Sequence, residues 1–374
     1  MNEDKAARYH RLRRQAGMLG TGAVAAVLLL SGPTGLSVWL RDLADTLAAG
    51  SRPLAVVVFV ACLGLLVEVV QLPLAYYRAV TLERRYGLST EAKARWWTGH
   101  LTTVGTNLLV SVAAASVIAA LLRAVPDWWW VICAALFSMV LVGLAQLAPA
   151  LLPLLDDLRP LSRPSLGARL AALATRTGTP VVDVREWRVS GRTRRASATL
   201  AGVGASRRIL VSDTLLADHS DEEIEVIIAH ELSHHVHHDI WVAMALEVGL
   251  ALLGFFVADR ALRHAGPWLG LSGPADLAGL PLLAVTAGAV SLALVPVAHA
   301  VSRAQERRAD RFALDTTGNP GAFVSAMRRL GANNLAEERP SALVELLFHS
   351  HPSVASRIAA ATAWTSPAAG KVGR

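Results

Sequence analysis

Six long apolar stretches dominate the pattern of hydrophobic and polar positions along the chain. An α-helix needs about 20 residues to cross a bilayer, so we predict about six membrane-spanning helices. The predicted spans are residues 17–40, 53–77, 101–122, 128–155, 240–259 and 278–300. The first span contains the break Ser31-Gly32-Pro33, which favours a helix shorter than the apolar stretch itself.

The polar residues between the spans predict four regions. These are a membrane region of four helices (1–155), a catalytic segment (156–239), a membrane hairpin (240–300) and a helical C-terminal part (301–374). Within 156–239, leucines at helical spacing predict a helix over 165–177, and short apolar runs around 182–189 and 208–211 predict strands. The fold class is therefore a mainly α, polytopic helical membrane protein with a small α+β domain.

The composition supports this class. Of the 374 residues, 53% are hydrophobic and only 17% are charged, whereas soluble domains carry about 25% charged residues. A disordered chain and an ordinary soluble enzyme are thereby excluded. The only two cysteines, Cys62 and Cys133, lie in apolar runs, which argues against a disulfide scaffold and a cysteine-based metal site.

Basic residues are concentrated in alternate loops. Five precede the first span and five lie in 78–100, whereas the intervening loops carry two, one and two. The positive-inside rule then places both termini, 78–100 and 156–239 in the cytoplasm. Because this rule also explains the net charge of +7, we expect a lipid bilayer as a partner and no nucleic acid. The basic residues are almost all Arg, which suggests a bacterial cell membrane as the location.

One helix of the catalytic segment carries a metal-binding motif. Ser220 and Glu223 have the spacing of a capping box and open this helix, which contains His230-Glu231-Leu232-Ser233-His234. Residues four apart share a helix face, so both histidines can bind one Zn²⁺ with Glu231 beside it. Such a zinc site keeps a position open for water. The alternative, two surface histidines on a charged helix, is disfavoured by the uncharged residues 227–229.

The histidines that follow the motif are poor candidates for the third ligand. From His230 to His238 a helix rises about 12 Å, too far for one tetrahedral ion. The extended motif H-E-x-x-H-x-x-G-x-x-H also fails, because His237 and Ile240 replace its Gly and its last His. We therefore interpret His235, His237 and His238 as solvated or membrane-interface residues.

Glu306 is the best candidate for the third ligand. Two predicted crossings separate it from His234, and an even number returns the chain to the same side of the membrane. Asp310, four residues later, shares its helix face and is predicted to accept the free N–H of a ligating histidine. The alternative is an ordinary Glu in an Arg-rich juxtamembrane helix.

These residues resemble the zinc peptidases of family M48 and, within them, the type I CAAX prenyl proteases and their bacterial relatives. The segments 83–89, 208–215 and 349–352 also match, so the similarity covers roughly residues 70–365. The resemblance implies a helical membrane chamber with a gluzincin-like domain on its cytoplasmic side. It also implies His230, His234 and Glu306 as the zinc ligands.

The resemblance further implies catalytic roles. Glu231 would be the general base that takes a proton from water and passes it to the leaving amine. His351 is a candidate donor to the tetrahedral intermediate. The alternative for His351 is a position at a helix start, with Ser350 as the cap and Pro352 in the first turn.

The chain departs from the family in the strand that pairs with substrate. Ser197, Ala198 and Thr199 stand where family members typically carry Asn-Ala-Tyr. Pairing through the backbone needs no particular side chain, so we expect peptide binding to survive. The substitution puts substrate specificity in doubt, and the use of prenylated substrates most of all.

The sequence thus predicts a zinc-dependent integral-membrane endopeptidase for membrane-associated or hydrophobic polypeptides at the cytoplasmic face. An HtpX-like quality-control protease, a leader- or peptide-processing protease and a catalytically silent scaffold are the alternatives. Three polar residues within the spans, Glu68, Gln71 and Asn107, are expected to face a protein or water-filled interior.

Overall fold

The computed structural model describes residues 5–155, 157–202 and 206–365, so the ends of the first and last predicted regions lie outside it. The helices are α1 (Lys5–Ser31), α2 (Leu36–Leu47), α3 (Arg52–Tyr76), α4 (Glu83–Arg85), α5 (Lys93–Ala124), α6 (Trp129–Leu155), α7 (Pro164–Arg176), α8 (Asp213–Asp218), α9 (Asp221–Val236), α10 (Asp239–His264), α11 (Leu280–Thr317), α12 (Pro320–Asn333), α13 (Ala342–Phe348) and α14 (Val354–Thr362). The strands are β1 (Leu158–Pro160), β2 (Asp183–Trp187), β3 (Ala198–Ala201) and β4 (Arg208–Ser212). A π-helical turn, Tyr77–Leu82, joins α3 to α4.

Six helical stretches of the described chain are long and apolar enough to cross a membrane. They are Lys5–Ser31, Arg52–Arg85, Lys93–Ala124, Trp129–Leu147, Asp239–His264 and Leu277–Thr317. The prediction of a polytopic helical membrane protein with about six spans is confirmed.

The first predicted span, 17–40, is wrong in its second half. Helix α1 ends at Ser31, and the chain turns through Gly35, whose φ of 73° places it in the left-handed region that glycine tolerates. Residues 36–47 form the separate helix α2, which buries Leu40 and Ala44 against Phe59 of α3. The break Ser31-Gly32-Pro33 therefore divides the apolar stretch into two helices, and each of them packs on α3.

Helix α11 runs from an apolar, membrane-spanning segment to Glu306 and Asp310. It is 38 residues long, which corresponds to about 57 Å at 1.5 Å per residue. The hydrocarbon core of a bilayer is roughly 30 Å thick, so much of α11 extends beyond it. One unbroken helix thus crosses the predicted boundary at residue 300, and the division into four regions stays a prediction.

The soluble part is built on a four-stranded sheet in the order β1-β2-β4-β3. Strands β2 and β4 are parallel, and the other two pairs are antiparallel. The apolar run around 182–189, expected to give short strands, forms the single strand β2. Helices α7, α9 and α12 bury their apolar faces in one common core. This core contains Leu166, Leu170, Leu173, Ile224, Ile228 and Phe323.

The polar residues in the spans have different surroundings. Glu68 Oε1 lies 2.8 Å from His100 Nε2 of α5, so this carboxylate has a partner inside the protein, as expected. Gln71 is half-buried, and Asn107 lies on an exposed face of α5. For Asn107 the expectation of an interior position stays a prediction.

Candidate active site

Helix α9 holds the two histidines of the motif on one face. The predicted capping box is present, because Ser220 Oγ accepts from Glu223 N at 3.3 Å and Ser220 N donates to Glu223 Oε2 at 2.9 Å. The apolar side of α9 is buried in the common core, which fixes the rotation of the helix. His230 and His234 consequently lie side by side, with ring centroids 5.1 Å apart.

Helix α11 brings Glu306 to these histidines. Its Oε2 lies 3.3 Å from His230 Nε2, and its Oε1 lies 3.5 Å from His234 Nε2. The three side chains offer ligand atoms that all lie within 4.8 Å of one another. The structure therefore brings together the three predicted metal ligands, although Glu306 lies 72 positions after His234 in the sequence.

Two further carboxylates orient the imidazole rings. His230 Nδ1 donates to Asp310 Oδ1 at 2.9 Å, and His234 Nδ1 donates to Asp239 Oδ2 at 2.8 Å. With Nδ1 engaged in this way, each ring directs Nε2 toward Glu306. Buried carboxylates behind metal-binding histidines are typical of protein metal sites, since they fix the tautomer and increase ligand basicity.

The donor set fits a divalent metal ion. Two imidazole nitrogens and one carboxylate are a common zinc set that leaves a coordination position for water or substrate. Glu306 Oε2 is buried and receives no hydrogen bond of ordinary geometry from the described residues. A cation placed between this buried carboxylate and the two imidazole nitrogens would satisfy all three groups.

The pKa values of the site residues also indicate that this site favours positive charge. Burial alone would lower the pKa of His230, but the carboxylates of Asp310 and Glu306 outweigh it and raise that pKa to about 9. Glu231 differs, because burial raises the pKa of its carboxyl although the two histidines oppose the shift. A raised pKa suits the general-base role predicted for Glu231.

His351 approaches the site from the segment before α14. Its Nε2 lies 3.2 Å from Glu306 Oε1, and the ring is largely exposed. Ser350 Oγ contacts His351 Nδ1 at 2.9 Å. The alternative assignment at a helix start is wrong, because Ser353 is the cap of α14 and accepts from Ser356 N at 3.3 Å.

Comparisons with known proteins agree with this geometry. The model of peptidase family M48 matches residues 160–365, and that of the CAAX prenyl protease N-terminal domain, with five membrane helices, matches residues 2–157. The chain belongs to peptidase family M48. It is an integral multi-pass membrane metalloprotease.

Several full-length relatives resemble the chain. The "Uncharacterized metalloprotease YhfN" of Bacillus subtilis is 31% identical over 339 residues, which cover 89% of this chain and 78% of that protein. CAAX prenyl protease 1 of Saccharomyces cerevisiae is 23% identical over 81% of this chain and 71% of its own length. The crystal structure of S. mikatae Ste24p has a TM-score of 0.84 at 20% identity, covering 96% of this chain and 88% of that one. Its fold is thus the fold of this chain, a membrane helical chamber with an M48 protease domain.

The M48 site has a second buried layer that sequence reasoning missed in part. Arg357 of α14 donates from Nε to Asp310 Oδ2 at 2.9 Å and from Nη2 to Asp310 Oδ1 at 2.5 Å. Asp310 was predicted from its position four residues after Glu306, whereas Arg357 has no local signal, since it lies 127 residues from His230. Arg357 thus orients the Asp310 carboxylate, which in turn orients the imidazole ring of His230.

We predict that Arg357→Met weakens metal binding. Without the arginine, Asp310 loses its orientation, so the zinc affinity should fall by about 10- to 100-fold. Competition with a chelator of known affinity measures this change. Arg311→Met is the matched control, because Arg311 is an exposed residue of α11 that pairs only with Asp315 in the described structure. Equal zinc affinities for the two variants would contradict the role of Arg357.

Asp239 was also missed, and the reason is local geometry. It lies five positions after His234, and a continuous helix would place the two on different faces. Helix α9 ends at Val236, and His238 adopts a left-handed conformation with φ of 58°, so the chain turns and returns Asp239 to His234. Arg308 of α11 pairs with the other oxygen of Asp239.

The three further histidines are not brought to the metal site. His238 is exposed, as expected. His235 and His237 are half-buried rather than fully solvated, and a position at the membrane interface stays a prediction for them. His235 Nε2 lies 3.3 Å from Leu200 O of β3, and His237 packs against Phe312 with ring centroids 5.7 Å apart.

The segment carrying His351 is anchored to α11 by a buried arginine. Arg303 Nη1 donates to the backbone oxygens of Glu345 at 3.0 Å and His349 at 2.8 Å. Arg303 lies one helical turn before Glu306, so a single helix positions both the carboxylate and the segment opposite it. This contact connects residues more than 40 positions apart, and no local pattern predicts it.

We predict that Arg303→Met lowers turnover but keeps the metal. The segment 349–351 would lose its anchor, so kcat should fall by about tenfold or more while zinc content is unchanged, since loss of one oxyanion donor costs roughly 10²–10³. Arg307→Met, at an exposed position on the same helix, is the control. A wild-type kcat for Arg303→Met would show that the anchor does not position His351.

The strand predicted to pair with substrate lies at an edge of the sheet. Strand β3 pairs with β4 on one side only, and Ser197 directly precedes it. Arg195, two residues earlier, is held by Glu83, whose carboxylate lies 3.1 Å from Arg195 Nη2, and by the hydroxyl of buried Tyr9 at 2.8 Å. Glu83 belongs to the segment 83–89 that resembles the M48 family. This segment therefore holds Arg195, just before the edge strand β3.

A cavity of about 1290 Å³ adjoins the site. It lies between α1, α11 and the segment before α14, and His351 is part of its wall. Arg13 and Arg78 line one part of it, and Met18 and Leu292 line another. The cavity thus connects apolar surfaces of membrane helices with His351, whose Nε2 lies 3.2 Å from Glu306 Oε1.

Proposed function

We propose that the protein is a zinc-dependent endopeptidase that binds one Zn²⁺ per chain through His230, His234 and Glu306. The observation that carries the proposal is the convergence of these three side chains, with each histidine oriented by a buried carboxylate. Bound zinc supplies a Lewis acid that polarises the scissile carbonyl and makes a water more acidic.

Glu231 and His351 supply the proton transfers and the hydrogen bond that hydrolysis requires. Glu231 takes a proton from the attacking water as the C–O bond forms. It then delivers this proton to the nitrogen of the leaving amine as the C–N bond breaks. His351, on the open side of the site, donates a hydrogen bond to the developing oxyanion. Asp310 and Asp239 keep the imidazole rings in place throughout.

The substrates we propose are membrane-associated or hydrophobic polypeptides. The support is the cavity, which joins apolar helix surfaces to His351. Quality control of damaged membrane proteins remains the second candidate, because an HtpX homologue of Streptococcus gordonii is 26% identical, although over only 37% of this chain. Processing of a leader or small peptide is the third.

Comparative proteomics separates these candidates. Cells carrying the wild type are compared with cells carrying a Glu231→Gln trap, and accumulating species are identified by mass spectrometry. One small peptide or precursor indicates processing, whereas many misfolded membrane proteins indicate quality control. Identical proteomes would contradict both candidate roles under those growth conditions.

We propose that the protein lies in a bacterial cell membrane, with both termini and the metal site on the cytoplasmic side. The alternation of basic loops supports this orientation. Reporter fusions after His238 and after Arg263 test it, since these positions flank α10. We expect cytoplasmic activity for the first fusion and external activity for the second. Reporters on the same side would refute the crossing by α10.

A further inference from the structure

The backbone groups of the edge strand alternate between two directions. Ser197 O accepts from Ser212 N at 3.0 Å, and Ser197 N donates to Ser212 Oγ at 3.0 Å, so both groups of Ser197 face β4. In an antiparallel pair, every second residue bonds to the same neighbour. The residues whose backbone groups face away from β4 are therefore Ala196, Ala198 and Leu200.

The side chain of Asn334 forms hydrogen bonds with the outward N–H and C=O of Ala196. Its Oδ1 accepts from Ala196 N at 3.1 Å, and its Nδ2 donates to Ala196 O at 3.2 Å. A carboxamide offers one acceptor and donors, as a peptide group does. The Asn334 side chain therefore takes the place of one residue of an additional strand.

The backbone around Asn334 is firmly held. Asn334 N donates to Leu330 O at 3.0 Å at the end of α12. The next residue, Leu335, has a φ of 49°, and its carbonyl lies 2.7 Å from His10 Nε2 of α1. The backbone of Asn334 is thus held between α12 and α1, which places its carboxamide beside Ala196.

At the other end of the outward edge of β3, one backbone group is also occupied. His235 Nε2 lies 3.3 Å from Leu200 O, and His235 directly follows the metal ligand His234. By the alternation of the ladder, the outward N–H and C=O of Ala198 and the N–H of Leu200 are left for a partner strand. This window lies between Asn334 at one end and the metal-binding helix at the other.

We propose that Asn334 is a stop that ends the pairing of the substrate strand at Ala198. The proposal rests on the proposed peptidase function. A bound polypeptide pairs with Ala198 and Leu200, and its residue facing Ala196 must turn away from the sheet. The neighbouring Arg195 and His10 line the cavity, so the chain that turns away enters it. Asn334 thus selects substrates that can leave the extended conformation at this point.

A scan of N-methylated peptides tests the stop. The full-length zinc enzyme in detergent cleaves β-casein, and a peptide spanning the preferred site is resynthesised with one backbone N-methyl group at each position in turn. An N-methyl group removes one N–H donor, so each paired position should lose about tenfold in kcat/KM. Apart from the scissile amide, the wild type should show one sensitive position, because Ala198 O is the outward carbonyl that neither Asn334 nor His235 occupies. Asn334→Ala frees Ala196 O and should add a second sensitive position, two residues further.

The controls separate the stop from a structural effect. Asn333→Ala is the matched variant, because Asn333 bonds to Asp218 instead, with Nδ2 and Oδ2 3.1 Å apart, and should keep the wild-type pattern. Two sensitive positions in the wild type, two residues apart, would overturn the proposal whether or not Asn334→Ala folds. So would an unchanged pattern in an Asn334→Ala enzyme with normal zinc content and Tm. Failure of the wild type to cleave β-casein or any unmethylated peptide would refute the peptidase proposal itself.

Discussion

Glu231→Gln is expected to abolish proteolysis and to leave the metal in place. Glutamine has nearly the same shape but cannot accept the proton of the attacking water, so kcat should fall by roughly 10²–10⁴-fold. Glu231 is not among the three ligands that converge on the metal position, and zinc should therefore stay at about one per chain. Turnover of a fluorogenic peptide and metal analysis of the purified protein measure the two quantities.

Glu222→Gln provides the matched control for this variant. Glu222 lies in the first turn of the same helix, is exposed and is 3.6 Å from Arg169 rather than near the metal ligands. It should keep wild-type activity and zinc content. Retained activity in Glu231→Gln would refute the general-base assignment, whereas loss of both activity and zinc would show that Glu231 is needed to hold the metal.

Glu306→Ala should lose both zinc and activity. The substitution removes the one negatively charged ligand and leaves His230 Nε2 and His234 Nε2 without a charged partner on α11. The loss of zinc affinity should exceed the roughly 100-fold that outer partners of ligands cost. Chelator competition and peptide turnover measure the effect, and His230→Ala should behave in the same way.

Asp315→Ala is the control for loss of a carboxylate from α11. Asp315 is exposed and bonds to Arg311 and Trp364, away from the metal ligands. This variant should keep zinc and turnover. A Glu306→Ala protein that keeps both would show that another side chain completes the metal site.

The metal helix was predictable because its information is local. His230 and His234 are four residues apart, and the capping box of Ser220 and Glu223 marks where the helix begins. The prediction of Glu306 depended on two further arguments, which are the even number of membrane crossings and the resemblance to M48 peptidases. The assignment of these residues as zinc ligands and general base stays a prediction that the variants above test.

Local pattern failed where the chain changes direction. The break Ser31-Gly32-Pro33 predicted a shorter first span, but it did not predict that residues 36–47 form a separate helix after a turn at Gly35. Asp239 reaches His234 only because α9 ends at Val236 and the chain turns through His238. Hydrophobicity reports which residues avoid water, and it carries little information about the backbone angles at one or two positions.

The sequence by itself determined the membrane class, the number of spans and the residues predicted to bind metal, because helical periodicity and charge bias are short-range properties. Only the tertiary structure decided which residues support them. Three hydrogen-bonded contacts join segments that are far apart in the chain: Arg357 with Asp310, Arg303 with His349, and Asn334 with Ala196. Such contacts depend on how whole helices pack, and packing is a property of all the elements together.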